Sequence, residues 1–145
     1  MAGNERQLQV LAERCIGCRA CATVCPAGLI TLADSDHRRT VRFVAVCAEE
    51  CDRCVAACPT QAIHLVSAAA PAGEGTVLNF ALAVCEDCGA PLAPVEMVAH
   101  LRAVVPAQIQ VDAEGQGWLV RCPACRQQGE AREMARESLL TRWSR

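Results

Sequence analysis

Twelve cysteines fall along 145 residues, and their spacing sorts them into three groups. Cys15, Cys18, Cys21 and Cys25 run as C-x-x-C-x-x-C-x-x-x-C and are followed by Pro26. Cys47, Cys51, Cys54 and Cys58 run as C-x-x-x-C-x-x-C-x-x-x-C and are followed by Pro59. Cys85 with Cys88, and Cys122 with Cys125, form two C-x-x-C pairs. A [4Fe-4S] cube needs four thiolates at tetrahedrally arranged corners, on a backbone that wraps it tightly. With two residues between cysteines, a loop can aim Cys15, Cys18 and Cys21 at three corners of one cube. The cysteine before the proline cannot comfortably turn back to that cube. Pro26 lacks a donor and pushes Cys25 out of helical geometry, directing the chain away.

The first run resembles that of bacterial two-[4Fe-4S] ferredoxins, in which the fourth cysteine ligates the other cluster. The resemblance implies that Cys15, Cys18, Cys21 and Cys58 hold one cluster and that Cys25, Cys47, Cys51 and Cys54 hold the second. The crossing would stitch the halves together. It would also make the metal part of the fold, since about 30 residues bury too little apolar surface alone. The second run departs from the pattern, with three residues between Cys47 and Cys51. If the extra residue bulges outward, Cys47 reaches its corner; if not, three ligands would suit a [3Fe-4S] cluster. Zinc or disulfides would give no reason for the repeated cysteine-proline pattern.

The two remaining pairs read as a closed tetrahedral site formed by Cys85, Cys88, Cys122 and Cys125. Cys88-Gly89 and Cys122-Pro123 also resemble the knuckles of zinc ribbons and rubredoxins, so iron is the alternative. Zinc is the expected ion, because the segment has few aromatic residues with which to bury a redox iron. Paired cysteines suit a single ion better than a third cluster. His37 lies in a turn signal, and His64 alternates with Ile63 and Leu65, so both are expected at the surface. His100 lies in an amphipathic segment. No Ser-His-Asp or Cys-His pair, phosphate-cradling glycine loop or paired-carboxylate site stands out, so catalysis is expected to belong to partners.

The elements that must carry these cysteines repeat with them. Strand-like segments precede the cysteine loops at Leu8 to Leu11 and Thr40 to Val46, the second rich in β-branched residues. Short apolar runs follow at Gly28 to Leu32 and Ala62 to Val66. The expected fold class is α+β: a duplicated ferredoxin-like domain over 1–66, then a small zinc-ribbon or rubredoxin-like domain over 79–145 with a helical insert and a C-terminal helix. Residues 67–78 begin with small residues, a proline and two glycines, and read as a linker. Val95 to Val105 suits a short helix that Pro106 stops. Glu130 to Arg145 suits a second, whose stripe of Ala131, Ala135, Leu139 and Trp143 is expected to dock within its own domain.

Composition narrows the function classes. All fourteen basic residues are arginine against sixteen acids, for a formal charge of −2. Three tetrathiolate sites at −2 each would bring a loaded protein to roughly −8, the reverse of a nucleic-acid binder. No apolar stretch reaches the roughly 20 residues that span a bilayer. The N-terminal residues carry no export signal, so a reducing compartment is expected, where dense cysteines are more often metal ligands.

The order of a ferredoxin-like half, Val84-Cys85-Glu-Asp-Cys88-Gly-Ala-Pro91, a helical insert and Arg121-Cys122-Pro-Ala-Cys125-Arg-Gln-Gln resembles the small iron-sulfur subunit of formate hydrogenlyase and related membrane-associated hydrogenase complexes. That subunit is similar in turn to the ferredoxin-like subunit of respiratory complex I. The resemblance implies single-electron relay between the redox centres of a larger complex of hydrogenase or formate dehydrogenase type. It places the chain in the cytoplasm, at the inner face of the membrane through partner subunits, with no direct membrane insertion and no nucleic acid. A diffusible ferredoxin is the alternative, and a zinc-ribbon interaction module a more distant one.

Overall fold

The computed structural model describes residues 6–47, 50–67, 73–111 and 117–143. Two antiparallel sheets form the framework. The first has strand order β4-β1-β5, from β1 (Arg6–Val10), β4 (Val46–Cys47) and β5 (Ile63–Ser67). The second has order β2-β3-β6-β7, from β2 (Ile30–Ser35), β3 (Arg38–Phe43), β6 (Thr76–Val84) and β7 (Pro91–Pro94). Short helices α1 (Ala20–Val24) and α2 (Arg53–Ala57) lie within the two cysteine runs and touch each other.

The duplication is nearly exact in structure, with a period of 33 residues. Leu8 and Val41, Cys21 and Cys54, and Ile30 and Ile63 are buried counterparts in one apolar core. Each helix stops at the cysteine before its proline, with φ and ψ of −75° and 110° at Cys25, −76° and 112° at Cys58. Proline forces that extended geometry on the preceding residue. Three positions later the chain turns through a left-handed residue in both halves, Gly28 at φ 64° and Gln61 at φ 53°.

The sheet crosses the expected boundary between a domain ending at 66 and one starting at 79. Strand β6 pairs along the whole of β3, from Arg38 opposite Ala81 to Phe43 opposite Thr76. Phe80 packs into the core shared by Leu8, Cys21, Cys54 and Ile63. The physical reason is edge protection: β3 would otherwise present unpaired backbone groups on one side. Residues 68–72 of the expected linker lie outside the described residues.

Helix α3 (Val95–Val104) follows β7 and ends before Pro106, as the periodicity implied. Helix α4 (Pro123–Trp143) starts earlier than expected, with proline at its first position, where a missing N–H costs nothing. Its apolar stripe does not dock within the domain. Leu139 is 58% and Trp143 89% exposed, because the helix projects beyond its first turns. Among the described residues no helix is long and apolar enough to cross a membrane.

Candidate metal centres

The eight N-terminal cysteines line two matched cavities, each of about 20 Å³. Cys15, Cys18 and Cys21 come from the first run and face the first cavity together with Cys58 of the second. Cys47, Cys51 and Cys54 face the other cavity together with Cys25 of the first. The remaining walls are largely apolar: Ile16, Val41, Phe43 and Ile63 in one, Leu8, Leu29, Ile30 and Val44 in the other. Cys47 reaches its cavity from β4, although residues 48 and 49, where the extra residue falls, lie outside the described residues.

Backbone amides aim at the sulfurs. Leu29 N–H donates to Cys25 Sγ at 3.4 Å, and its counterpart Ala62 N–H donates to Cys58 Sγ at 3.2 Å. The left-handed turns at Gly28 and Gln61 present these donors, one residue further on. Burial pushes the Cys15 and Cys54 thiols up, and carries Cys21 to about 12, with neighbouring thiols adding to the rise. At Cys58 burial is outweighed by the Ala62 and Thr60 donors, and the thiol falls below its ordinary value. Clustered thiols that resist ionisation alone need a positive core to hold them as thiolates. The donor set, the apolar walls and the N–H groups directed at sulfur all fit an iron-sulfur cube in each cavity.

The third group is different in geometry. The sulfurs of Cys85, Cys88, Cys122 and Cys125 lie within 4.8 Å of one another. No such close grouping occurs among the other eight cysteines, all of which are described residues. A tetrahedron with metal-sulfur bonds of about 2.3 Å has sulfurs about 3.8 Å apart. Cys88 and Cys122 stand at 3.7 Å, which fits one ion. Cys85 directly follows β6, and Gly89, at φ 73°, turns the chain so that Gly89 N–H donates to Cys85 O at 2.8 Å.

Cys122 N–H donates to Cys85 Sγ at 3.2 Å, and Cys125 N–H to Cys122 Sγ at 3.4 Å. The Cys122 amide, helped by those of Cys88 and Asp87, draws the Cys85 thiol down to about 6. Cys125 is pushed up by the sulfurs of Cys122 and Cys88. Cys85 therefore ionises readily, while Cys125 needs a cation to hold it as a thiolate. Arg121 ties the two knuckles together through Asp87 at 2.6 Å.

Residues 14–63 match the family profile of the 4Fe-4S dicluster domain. That span takes in both duplicated runs and all eight cysteines that line the two cavities. A protein of Rhodospirillum rubrum described as "Iron-sulfur protein" is 35% identical over a stretch covering 41% of this chain and 40% of its own length. The chain thus matches about two fifths of that relative. Residues 14–63 are thus similar to a 4Fe-4S dicluster domain, and the four-cysteine group that could hold a metal ion lies outside the matched span.

Sequence reasoning missed two arginines that bear on the dicluster segment. Arg39 is buried and donates to the Gly17 carbonyl between Cys15 and Cys18. Arg6 donates to the Cys51 carbonyl. Their signal was the 33-residue spacing itself, which the cysteine runs alone do not display fully because Cys15 and Cys47 are 32 apart.

Proposed function

We propose that this chain is an electron-transfer subunit that relays single electrons between redox centres of a larger oxidoreductase complex of hydrogenase or formate dehydrogenase type. The observation that carries the proposal is the pair of apolar cavities, each faced by four cysteines and each completed from the opposite half of the duplication. Cys15, Cys18, Cys21 and Cys58 would hold one [4Fe-4S] cluster, and Cys25, Cys47, Cys51 and Cys54 the other. Such clusters, when bound, accept and release one electron each, with a potential set by hydrogen bonds to sulfur, burial and charge.

The chain's own residues keep water from the sulfurs, through Phe43, Val41 and Ile63 on one side and Leu8 and Ile30 on the other. Cys85, Cys88, Cys122 and Cys125 would hold structural zinc, leaving no open position for a substrate. The exposed apolar residues Leu139, Leu140 and Trp143 support attachment to large partner subunits. We place the complex at the cytoplasmic face of a membrane through those partners.

Anaerobic purification from the native source, with metal and sulfide analysis, tests the reading. The expected result is about eight irons and eight labile sulfides per chain, with about one zinc, in a preparation that retains large subunits at high salt. Four irons or fewer after full reconstitution would sink the two-cluster assignment. A chain that elutes alone at every salt concentration would instead point to a diffusible ferredoxin.

A further inference from the structure

The 33-residue repeat includes a basic pair that crosses between the halves as the fourth cysteines do. Arg6 lies at the start of β1 and Arg39 near the start of β3, and each strand leads into a cysteine run. Arg39 Nη1 donates at 3.0 Å to the carbonyl of Gly17, in the loop of the first run. Arg6 Nη2 donates at 2.6 Å to the carbonyl of Cys51, in the loop of the second. The first cavity therefore receives both Cys58 and the support of Arg39 from the second half. The second cavity receives both Cys25 and the support of Arg6 from the first half.

The strand register repeats as well. Arg39 lies opposite Asp34, and Arg6 lies opposite Ser67, two positions again 33 apart. In the first half this cross-strand partner is a carboxylate, which grips the guanidinium at 2.7 and 2.8 Å. Arg19 approaches the same carboxylate at 3.5 Å. Arg39 is only 7% exposed, so its side chain is held in one place by Asp34 and hands one donor to the loop. In a trans peptide the C=O and N–H point in opposite directions. Drawing the Gly17 carbonyl to Arg39 turns the Cys18 N–H away from the guanidinium, and drawing the Cys51 carbonyl to Arg6 does the same for Asp52.

We propose that Arg39 and Arg6 are a duplicated pair of positioning residues, each fixing the cysteine loop of the opposite half and setting the reduction potential of the cluster held there. The inference rests on the two-cluster reading above. A cluster core passing from 2+ to 1+ on taking one electron gains negative charge, which a fixed guanidinium nearby stabilises. Losing Arg39 removes that charge and leaves Asp34 behind. Losing only the Asp34 carboxylate does the opposite.

The test uses the full-length chain prepared anaerobically, with iron and sulfide counted first and the two cluster signals assigned by Cys18→Ser and Cys25→Ser. Potentiometric titration with dithionite, followed by electron paramagnetic resonance, then compares Arg39→Gln, Arg39→Lys, Asp34→Asn and Arg6→Gln. Arg39→Gln is expected to disfavour reduction of the first cluster about tenfold, a shift of about 59 mV for one electron. Asp34→Asn should shift the same cluster in the opposite direction, and Arg39→Lys less than Arg39→Gln. Arg6→Gln should disfavour reduction of the second cluster only. A purely structural role would lower cluster content without producing shifts of opposite sign. If Arg39→Gln fails to load, Arg39→Lys and Asp34→Asn carry the comparison. Arg39 and Arg6 variants that moved the same cluster, or fully loaded variants that moved neither, would overturn the pairing. A wild-type chain without eight irons would be recognised before any variant is compared, and would remove the two-cluster reading itself.

Discussion

Gly17 is confined on three sides. Its carbonyl is held by Arg39, its φ is 63°, and a β-carbon placed there would lie 2.9 Å from Phe80 Cδ2 and 3.0 Å from Pro94 Cγ. Both the left-handed backbone and the close approach require glycine. Gly17→Ala should cost about 1 to 3 kcal/mol, from strain at a positive φ and contact with the ring. It should also reduce iron retention in the first cavity while sparing the second. Differential scanning together with iron counting checks this, and an alanine variant with unchanged loading would show that the loop yields more easily than its packing implies. The cysteines around this glycine are legible in the sequence, because ligand chemistry restricts both residue type and spacing. Arg39 and Arg6 are not. An isolated arginine reads as surface charge until the strand register shows which carbonyl it meets.

At the scale of elements, the cysteine-proline junctions do two jobs. Each ends a five-residue helix, and each sends its sulfur to the cavity of the other half. If that crossing governs ligation, Cys25→Ser should impair the cluster that shares Cys47, Cys51 and Cys54, whereas Cys18→Ser should impair the other. Each loss should reach most of one cluster's signal, about four irons of eight. Two variants that remove the same signal would rule out the crossing.

The short helices and the sequence of strands follow from patterns visible along the chain. One strand does not. Thr40 to Val46 reads as a single β-branched run, yet β3 ends at Phe43 in one sheet and β4 begins at Val46 in the other. Val44 and Ala45 carry the chain between them, with Val44 N–H donating to Leu29 O and Ala45 O accepting from Leu8 N–H. Propensity reports that such residues favour extended backbone, and says nothing of which sheet pairs with them.

The whole molecule is tied together by β6, which runs from pairing with β3 directly into Cys85. Composition reads residues 67–78 as a linker, because small residues, proline and glycine mark flexible chain. It could not show that the next strand would return to close a sheet edge. The C-terminal cysteine group consequently begins three residues beyond Leu82, whose N–H donates to His37 O at 2.7 Å in the turn beside Arg38. Pro94 and Phe80 press on Gly17 of the first cysteine loop, and Glu96 raises the Cys15 thiol, though less than burial does. Damage at the third site should therefore spread unequally.

Replacing Cys85 and Cys88 with serine would remove two of the four proposed metal ligands, and a structural ion bound there would supply on the order of 10 kcal/mol. The knuckles should separate, α3 and α4 should become accessible to protease, and Pro94 should release its hold on the first loop. The first cluster should then shift in potential and lose iron faster to a chelator, while the second keeps its signal. Limited proteolysis, chelator kinetics and cluster-resolved redox titration on the same preparation would measure all three effects. Cleavage of α3 and α4 with both clusters unchanged would show that β6 and Phe80 alone secure the first loop, and that damage at the third site does not reach it.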